Sequence, residues 1–266
     1  PVGAIRPGAI LDVSGTWEVV LAATEEPLLS PELGRAGMTV EAHVATDLYA
    51  LWGGAVSADM LEWYRREYGG EARLQAETGG GTDWDYLMAE AAAAPPGSHG
   101  VTFLPHMSGG GCPVDDTRSL GAFVGLSGFA GKGDLLRAIV EGLDYQFLHI
   151  TEAMQANGVA FDRLIAVGGA VRNKFWMQNK ADIAGRCIET PEVEDATPLG
   201  AAMLAGIGVG IYRDAADACA HVFRPGPVYE PDLALTARYA DLFEIYKQVY
   251  PALAPVSHQL YGRTLA

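Results

Sequence analysis

Basic residues are scarce in this chain: 18 Lys and Arg stand against 33 Asp and Glu, for a formal net charge of −15. So acidic a surface repels phosphodiester backbones and anionic headgroups, and neither nucleic acid nor a membrane is expected as a partner. A phosphate that binds here must find backbone N–H groups, because no basic field is available. Cysteine is scarce as well. Cys112, Cys187 and Cys219 are odd in number and widely separated, which argues against a disulfide framework and for a reducing, cytoplasmic setting. No Cys-x-x-Cys or Cys/His cluster suggests a structural zinc, and no residue is assigned to a metal. Long apolar runs are missing too. The longest weakly polar stretch, Leu199 to Tyr212, is too short and too rich in glycine to span a bilayer. No signal-peptide pattern opens the chain. It starts at Pro1 in the middle of an apolar, glycine-containing phrase, so further chain is expected upstream.

What is present is a large apolar fraction, 49% of 266 residues, enough core for one large domain or two small ones. The chain is organised around the stretch from Asp162 to Gly185. Leu164–Val167 is a short apolar run that reads as a buried strand. Gly168 and Gly169 follow, and Asn173 and Gly185 bracket a helix as N-cap and C-terminal stop. Strand, two glycines and helix N-terminus form a device that lets a ligand approach the backbone. Upstream, Ala9–Val13 and Trp17–Ala22 read as strands joined by a tight Ser14-Gly15-Thr16 turn, whose N–H groups and hydroxyl suit a terminal phosphate.

Other elements follow in order. Residues 25–38 read as loop, and 39–51 as extended. Ser57 is expected to cap a helix that runs through Tyr68 and stops at Gly69-Gly70. A helix is predicted over Asp83–Ala94 and a strand over Val101–Leu104. The glycine-rich segment His106–Cys112 reads as a flexible surface loop. Leu136, Val140, Leu143, Phe147, Ile150 and Met154 place one apolar stripe on a helix from Asp134 to Met154, and this stripe reads as core. A strand over Cys187–Thr190 comes next. Helices are expected after Thr197-Pro198, over Ala215–Val222 and over Pro231–Tyr250. Alternating strands and helices imply an α/β fold.

The segment Gly121–Glu141, GAFVGLSGFAGKGDLLRAIVE, resembles the C-terminal signature of the FGGY carbohydrate kinases. Further family phrases occur in the expected order: Pro7-Gly8, Ser14-Gly15-Thr16, Leu61-Glu62-Trp63, Val167-Gly168-Gly169-Ala170, Ala181-Asp182 and Leu199-Gly200-Ala201-Ala202. The resemblance spans Pro7 to about Asp214. It implies an actin-like ATPase domain of the ribonuclease H type, a mixed sheet flanked by helices. Residues 1–266 then correspond to the second of two domains, without the first, sugar-binding domain.

By this resemblance the substrates are ATP, with Mg²⁺ bridging its phosphates, and a ketose, deoxyketose or polyol. Gly15 and Thr16 would meet the terminal phosphates. Gly168, Gly169 and Ala170 would lie against the nucleotide, with Asn173 near its adenosine end and Ala58 and Glu62 lining the same pocket. The loop at Gly109-Gly110-Gly111 departs from relatives, which often carry an acidic and a basic residue there. Ser-Gly-Thr-Trp-Glu resembles the fuculokinase and rhamnulokinase branch more than the Gly-Thr-Ser of xylulokinases. The family's general base is an aspartate in a Gly-His-Asp or Gly-Asp phrase, and this chain has none. The base is therefore expected upstream of Pro1, and the chain alone is expected to be inactive. Asp12, the nearest carboxylate to the Gly15-Thr16 turn, is expected to face solvent, since Leu11 and Val13 point the other way. The rival reading is a non-catalytic, nucleotide-responsive interaction module on the same fold, which an upstream Gly-x-Asp phrase would disfavour. A homodimer stays open.

Overall fold

The computed structural model describes residues 2–193 and 196–264. In chain order the elements are β1 (Gly8–Ser14), β2 (Trp17–Thr24), α1 (Pro31–Arg35), β3 (Thr39–Ala42), β4 (Tyr49–Val56), α2 (Asp59–Tyr68), α3 (Gly70–Gly79), α4 (Asp83–Ala93), β5 (Thr102–Leu104), β6 (Ala122–Val124), α5 (Lys132–Ala156), β7 (Phe161–Val167), α6 (Lys174–Ala184), β8 (Ile188–Pro191), α7 (Ala196–Gly208), α8 (Ala215–Val222), β9 (Pro225–Tyr229) and α9 (Leu233–Thr264). The main sheet has the order β3-β4-β2-β1-β7-β8-β9. Its centre is parallel, with β1 beside β7 and β7 beside β8. The flanking strands are antiparallel. This is the expected mixed sheet flanked by helices.

Both faces of the central strands are covered. Ile10, Val20, Ala22, Leu51, Leu164 and Ala166 pack with the apolar residues of α5 and α6 in the main core. Ala9, Ile165 and Val167 form a smaller cluster on the opposite face, with Leu11 and Val13 against it. The stripe predicted on α5 is core: Leu136, Val140, Leu143, Phe147, Ile150 and Met154 are each at most 1% exposed. Each such burial stabilises by roughly 1.5–3 kcal/mol relative to exposure, enough to explain why these residues lie inside. Periodicity does not show that the polar side of α5 is buried as well, with Arg137, Glu141, Asp144 and Gln146 all inside.

Several boundaries differ from expectation for identifiable reasons. Ser57 does not cap α2; its N-cap is Ala58, with no side-chain cap, and the buried Ser57 hydroxyl has no hydrogen-bond partner among the described residues. Gly69-Gly70 interrupts the helix but does not end the helical layer, because α3 restarts at Gly70. Within 25–38, Ser30 caps α1 by accepting from Leu33 N–H. Strand β9 was missed, since its Pro-Gly-Pro composition argues against a strand; it sits at the sheet edge, where proline is tolerated. Helix α9 continues through Pro251 and Pro255 to Thr264. The cap expected at Thr197 falls inside α7, whose preceding residues 194 and 195 lie outside the described residues.

The 106–112 segment is packed, contrary to the flexible loop expected. His106 and Cys112 are buried, Cys112 N–H donates to the Gly54 carbonyl at 3.0 Å, and a Cβ at Gly111 would come within 2.7 Å of that oxygen. Burial holds the His106 imidazole down at about 4, neutral near pH 7, and its Nδ1 pairs with the Ser119 hydroxyl at 2.7 Å. Gly111→Ala should therefore cost about 1–3 kcal/mol by overpacking, read as a lowered thermal midpoint. An unchanged midpoint would restore the flexible-loop reading.

Candidate functional site

Strand direction brings the candidate residues together. β1 and β7 are parallel neighbours in register at Val13↔Val167, so their C-terminal ends lie side by side and their following turns meet. β2 runs back from the first turn, and β4 pairs with it from Trp17↔Val56. The end of β4 and the start of α2 thus reach the same edge of the sheet. Crevices beyond the carboxyl ends of parallel strands are where open α/β sheets bind ligands.

Hydrogen bonds fix the first turn. Gly15 N–H donates to Trp17 O at 2.9 Å, so this N–H is already engaged within the turn. Ser57 N–H donates to Thr16 O at 2.8 Å and Ala58 N–H to Gly15 O at 3.1 Å. Ala58 therefore acts on the turn through its backbone. Thr16 and Trp17 are exposed at the tip. Glu62 lies one turn into α2, exposed, with both carboxylate oxygens on Arg65 Nη1 at 2.7 and 2.9 Å.

The glycine pair divides into two roles. Gly168 has φ +99°, and a Cβ there would lie 2.4 Å from Ser14 O. Its glycine lets the two turns touch. A Cβ at Gly169 would meet nothing within 4 Å, so Gly169 borders open space. Ala170 is buried in the core, which leaves its backbone for any ligand. Asn173 is the N-cap of α6, as expected, and its Oδ1 accepts from Trp176 N–H at 3.1 Å. Gly185 closes that helix in the left-handed region, φ 62°.

Below the turns lies a buried cluster of charge that sequence reasoning missed. Asp12 is 1% exposed, and the solvent-facing assignment is wrong. Alternation along β1 puts Asp12 opposite Leu11 and Val13 correctly, but α5 and α6 cover that second face. Lys180, on α6 and fully buried, donates to Asp12 Oδ2 at 2.5 Å, to the Ser14 hydroxyl at 3.2 Å and to Glu18 Oε1. Its ammonium also stands 4.5 Å from the centre of the Phe147 ring. Desolvation pushes the Glu18 carboxyl up to about 7, against the pull of Lys180. Burial raises Asp144 well above the usual carboxylate range. Asp144 accepts from Trp176 Nε1 at 2.9 Å and Asn179 Nδ2 at 2.7 Å. Among the described residues, no group of three or more His, Cys, Asp or Glu is arranged to hold a metal ion, and no helix is long and apolar enough to cross a membrane.

Residues 12–209 match the model of the FGGY family of carbohydrate kinases, C-terminal domain. The chain belongs to the FGGY family. It is 28% identical over 265 residues to a xylulose kinase of Staphylococcus epidermidis, covering 97% of this chain and 50% of that protein. It is 32% identical over 235 residues to a glycerol kinase of Alkaliphilus metalliredigens, covering 88% of this chain and 45% of that protein. The crystal structure of xylulose kinase from Rhodospirillum rubrum superposes with a TM-score of 0.81 at 28% identity, over 96% of this chain and 49% of that one. The chain thus spans about half the length of the curated relatives it matches. Its fold is that of these kinases, as expected from the family phrases. One phrase has a structural explanation here: Asp182 of Ala181-Asp182 accepts from Asp232 N–H at 2.8 Å, and its carbonyl accepts from the Thr236 hydroxyl at 2.8 Å, which anchors the start of α9.

Two outcomes test this geometry. Gly168→Ala should destabilise by more than about 2 kcal/mol, since it combines a left-handed backbone with a clash at Ser14 O, whereas Gly169→Ala should change stability by less than about 0.5 kcal/mol. Equal thermal midpoints would refute the division of roles. The second concerns pH. A Glu18 carboxyl raised from 4.5 to about 7 contributes stability that is complete below the unfolded value and is lost as pH rises through about 7. His106, lowered from 6.5 to about 4, works in the opposite sense, with stability lost as pH falls from 6.5 towards 4. Urea melts of Glu18→Gln should therefore show a shallower decline between about pH 5 and 7, with the raised Asp144 carboxyl supplying what remains, and keep the acid limb. A decline of unchanged depth would assign it wholly to groups other than Glu18.

Proposed function

We propose that this chain is the C-terminal, nucleotide-binding domain of an ATP-dependent carbohydrate kinase. The complete enzyme passes the γ-phosphoryl group of ATP to a hydroxyl of a ketose, deoxyketose or polyol in the cytoplasm. The supporting observation is convergence: the Ser14–Thr16 turn, the Gly168–Asn173 segment and the start of α2 meet at one edge of the sheet, in a chain matching the family's C-terminal domain. Family members carry out this class of transfer, and the relatives reported above are named for xylulose and glycerol.

In this reading Gly169 leaves room for the nucleotide, with Gly168 and the Ala170 backbone beside it. The N-terminus of α6, where Asn173 caps the Trp176 N–H, favours negative charge. The exposed Thr16 hydroxyl faces the terminal phosphates, while Gly15, its N–H engaged by Trp17 O, leaves room beside it in a turn held by Ser57 and Ala58. Ala58 and Glu62 form the pocket wall. The substrate is Mg·ATP. The carboxylates next to the turn in sequence, Asp12 and Glu18, are paired with Lys180, so neither would be a ligand of the Mg²⁺ that would accompany ATP and offset its phosphate charge. Catalysis rests on positioning and charge stabilisation, with the sugar and the general base supplied by the domain that precedes this one in full-length relatives.

Calorimetric titration with Mg·ATP tests the binding half of the proposal. Binding is expected, and Gly169→Val should abolish most of it without lowering the thermal midpoint. Unchanged affinity would misplace the site. Joined to the preceding domain, Thr16→Ala should lower turnover while sparing adenosine binding and stability, because Thr16 is exposed. A large stability loss with normal turnover would make the turn merely structural. The isolated chain, offered ATP, Mg²⁺ and a panel of ketoses and polyols, should release no sugar phosphate; turnover near that of an ordinary kinase would overturn the assignment of the base to the other domain.

A further inference from the structure

The buried cluster joins the elements that carry the two ligand turns. Asp12 and Ser14 form the β1 root of the first turn and Glu18 the β2 root, opposite Ser14 in register. Lys180 comes from α6, the helix whose N-terminus follows Gly168–Asn173. All three ammonium donors are used, one on each of Asp12, Ser14 and Glu18. The other Asp12 oxygen, Oδ1, is buried and has no hydrogen-bond partner among the described residues. That orphan is a cost, because a core built only for stability would fill the space with apolar side chains. Next to Lys180 on α6, Asn179 links Asp144 to Tyr239 of α9, and Tyr239 meets Glu141 and Arg137 of α5. The helix that supplies the ammonium is thus itself clamped.

We propose that Lys180 is a positioning residue for phosphoryl binding: its ammonium ties both roots of the Ser14–Thr16 turn to α6 and so sets the spacing between that turn and the Gly168–Asn173 segment. This rests on the nucleotide-site reading above. The geometry supports a role in spacing beyond cohesion. The direct contact between the turns is Gly168 against Ser14 O, which has no side chain to lock it. The tip itself is exposed, held by two backbone hydrogen bonds to Ser57 and Ala58 on the side away from β7. Lys180 adds a side-chain tie from the roots of the turn to α6. A ligand that touches only the Gly168–Asn173 segment does not need this spacing. One that reaches both segments does, and ATP differs from adenosine in that respect.

The experiment compares the affinities of Mg·ATP and adenosine for the 266-residue chain by calorimetry. Lys180→Met alone strands two carboxylates and can unfold the chain, so the main variant is Lys180→Met combined with Glu18→Gln, which removes one of those charges. The second is Glu18→Leu, which keeps the Lys180–Asp12 pair and cuts only the β2 tie. Near-ultraviolet circular dichroism checks folding. Expected is a loss of at least about tenfold in Mg·ATP affinity in the double variant and a smaller loss in Glu18→Leu, with adenosine affinity within about twofold of wild type in both. Amide exchange should quicken in residues 14–19 and stay slow in α5. Equal weakening of both ligands would make Lys180 a general structural residue, and unchanged ATP affinity would make the tie irrelevant; either overturns the inference alone. A wild-type chain that binds neither ligand overturns the site reading and the inference with it.

Discussion

The parallel seam between β1 and β7 is the constraint on which the rest of the structure depends. It aligns Val13 with Val167, and from that register Ser14 O meets Gly168 and the two ligand turns come into contact. The period of a strand is two residues, so a slip of one position would turn every side chain to the other face. Asp12 and Ser14 would leave Lys180, and Leu11 and Val13 would enter the polar cluster in their place. Each mismatch would strand a charge in an apolar surrounding. The polar cluster and the apolar pattern therefore specify the same register from opposite faces of one strand.

Electrostatics inside the domain runs against its surface. The chain carries a net charge of −15, and two of its few cations, Lys180 and Arg137, are buried among carboxylates. Removing an ion from water costs several kcal/mol, which a partner only roughly offsets. Such pairs are poor evidence of stability and better evidence that a geometry is being specified. Here the buried polar contacts connect the β1–β2 hairpin to α6, and α6 to α5 and Tyr239 of α9. Glu141 extends these contacts further, accepting from Gly97 N–H and the Ser98 hydroxyl at 2.9 Å each. Burial raises the carboxyls of Glu18 and Asp144, Lys180 pulls both down, and Glu18 is left at about 7.

Much of this was legible in the sequence where local chemistry decides structure. The strand, glycine pair, Asn173 cap and Gly185 stop were readable because caps and left-handed glycines are local requirements. The stripe on α5 was readable because its period is helical. What escaped was set by neighbours distant in the chain. Asp12 follows the alternation of β1, but alternation cannot tell whether the second face of a strand meets water or a helix more than a hundred residues away. The same limit hid Lys180, which by residue type belongs on a surface. The 106–112 loop looked mobile from its glycines, whereas Gly111 is small because β4 lies against it. The candidate residues were found from family phrases, and the fold then showed that Gly168 and Gly169 do different things.

The fate of Asp12 bears on how the two halves of such a kinase divide their work. Taking a proton from a sugar hydroxyl requires a carboxylate oxygen within hydrogen-bond reach of that hydroxyl. Asp12 is the carboxylate nearest in sequence to the Gly15-Thr16 turn, and it faces the opposite way. One oxygen is held by Lys180 and the other is sealed in the core. Freeing it would leave a buried ammonium short of a partner and would loosen the root of the turn. Within the proposed reading, then, this domain cannot turn its own strand carboxylate into a base without giving up its hold on the phosphate turn. That reading therefore assigns the base to an element other than β1.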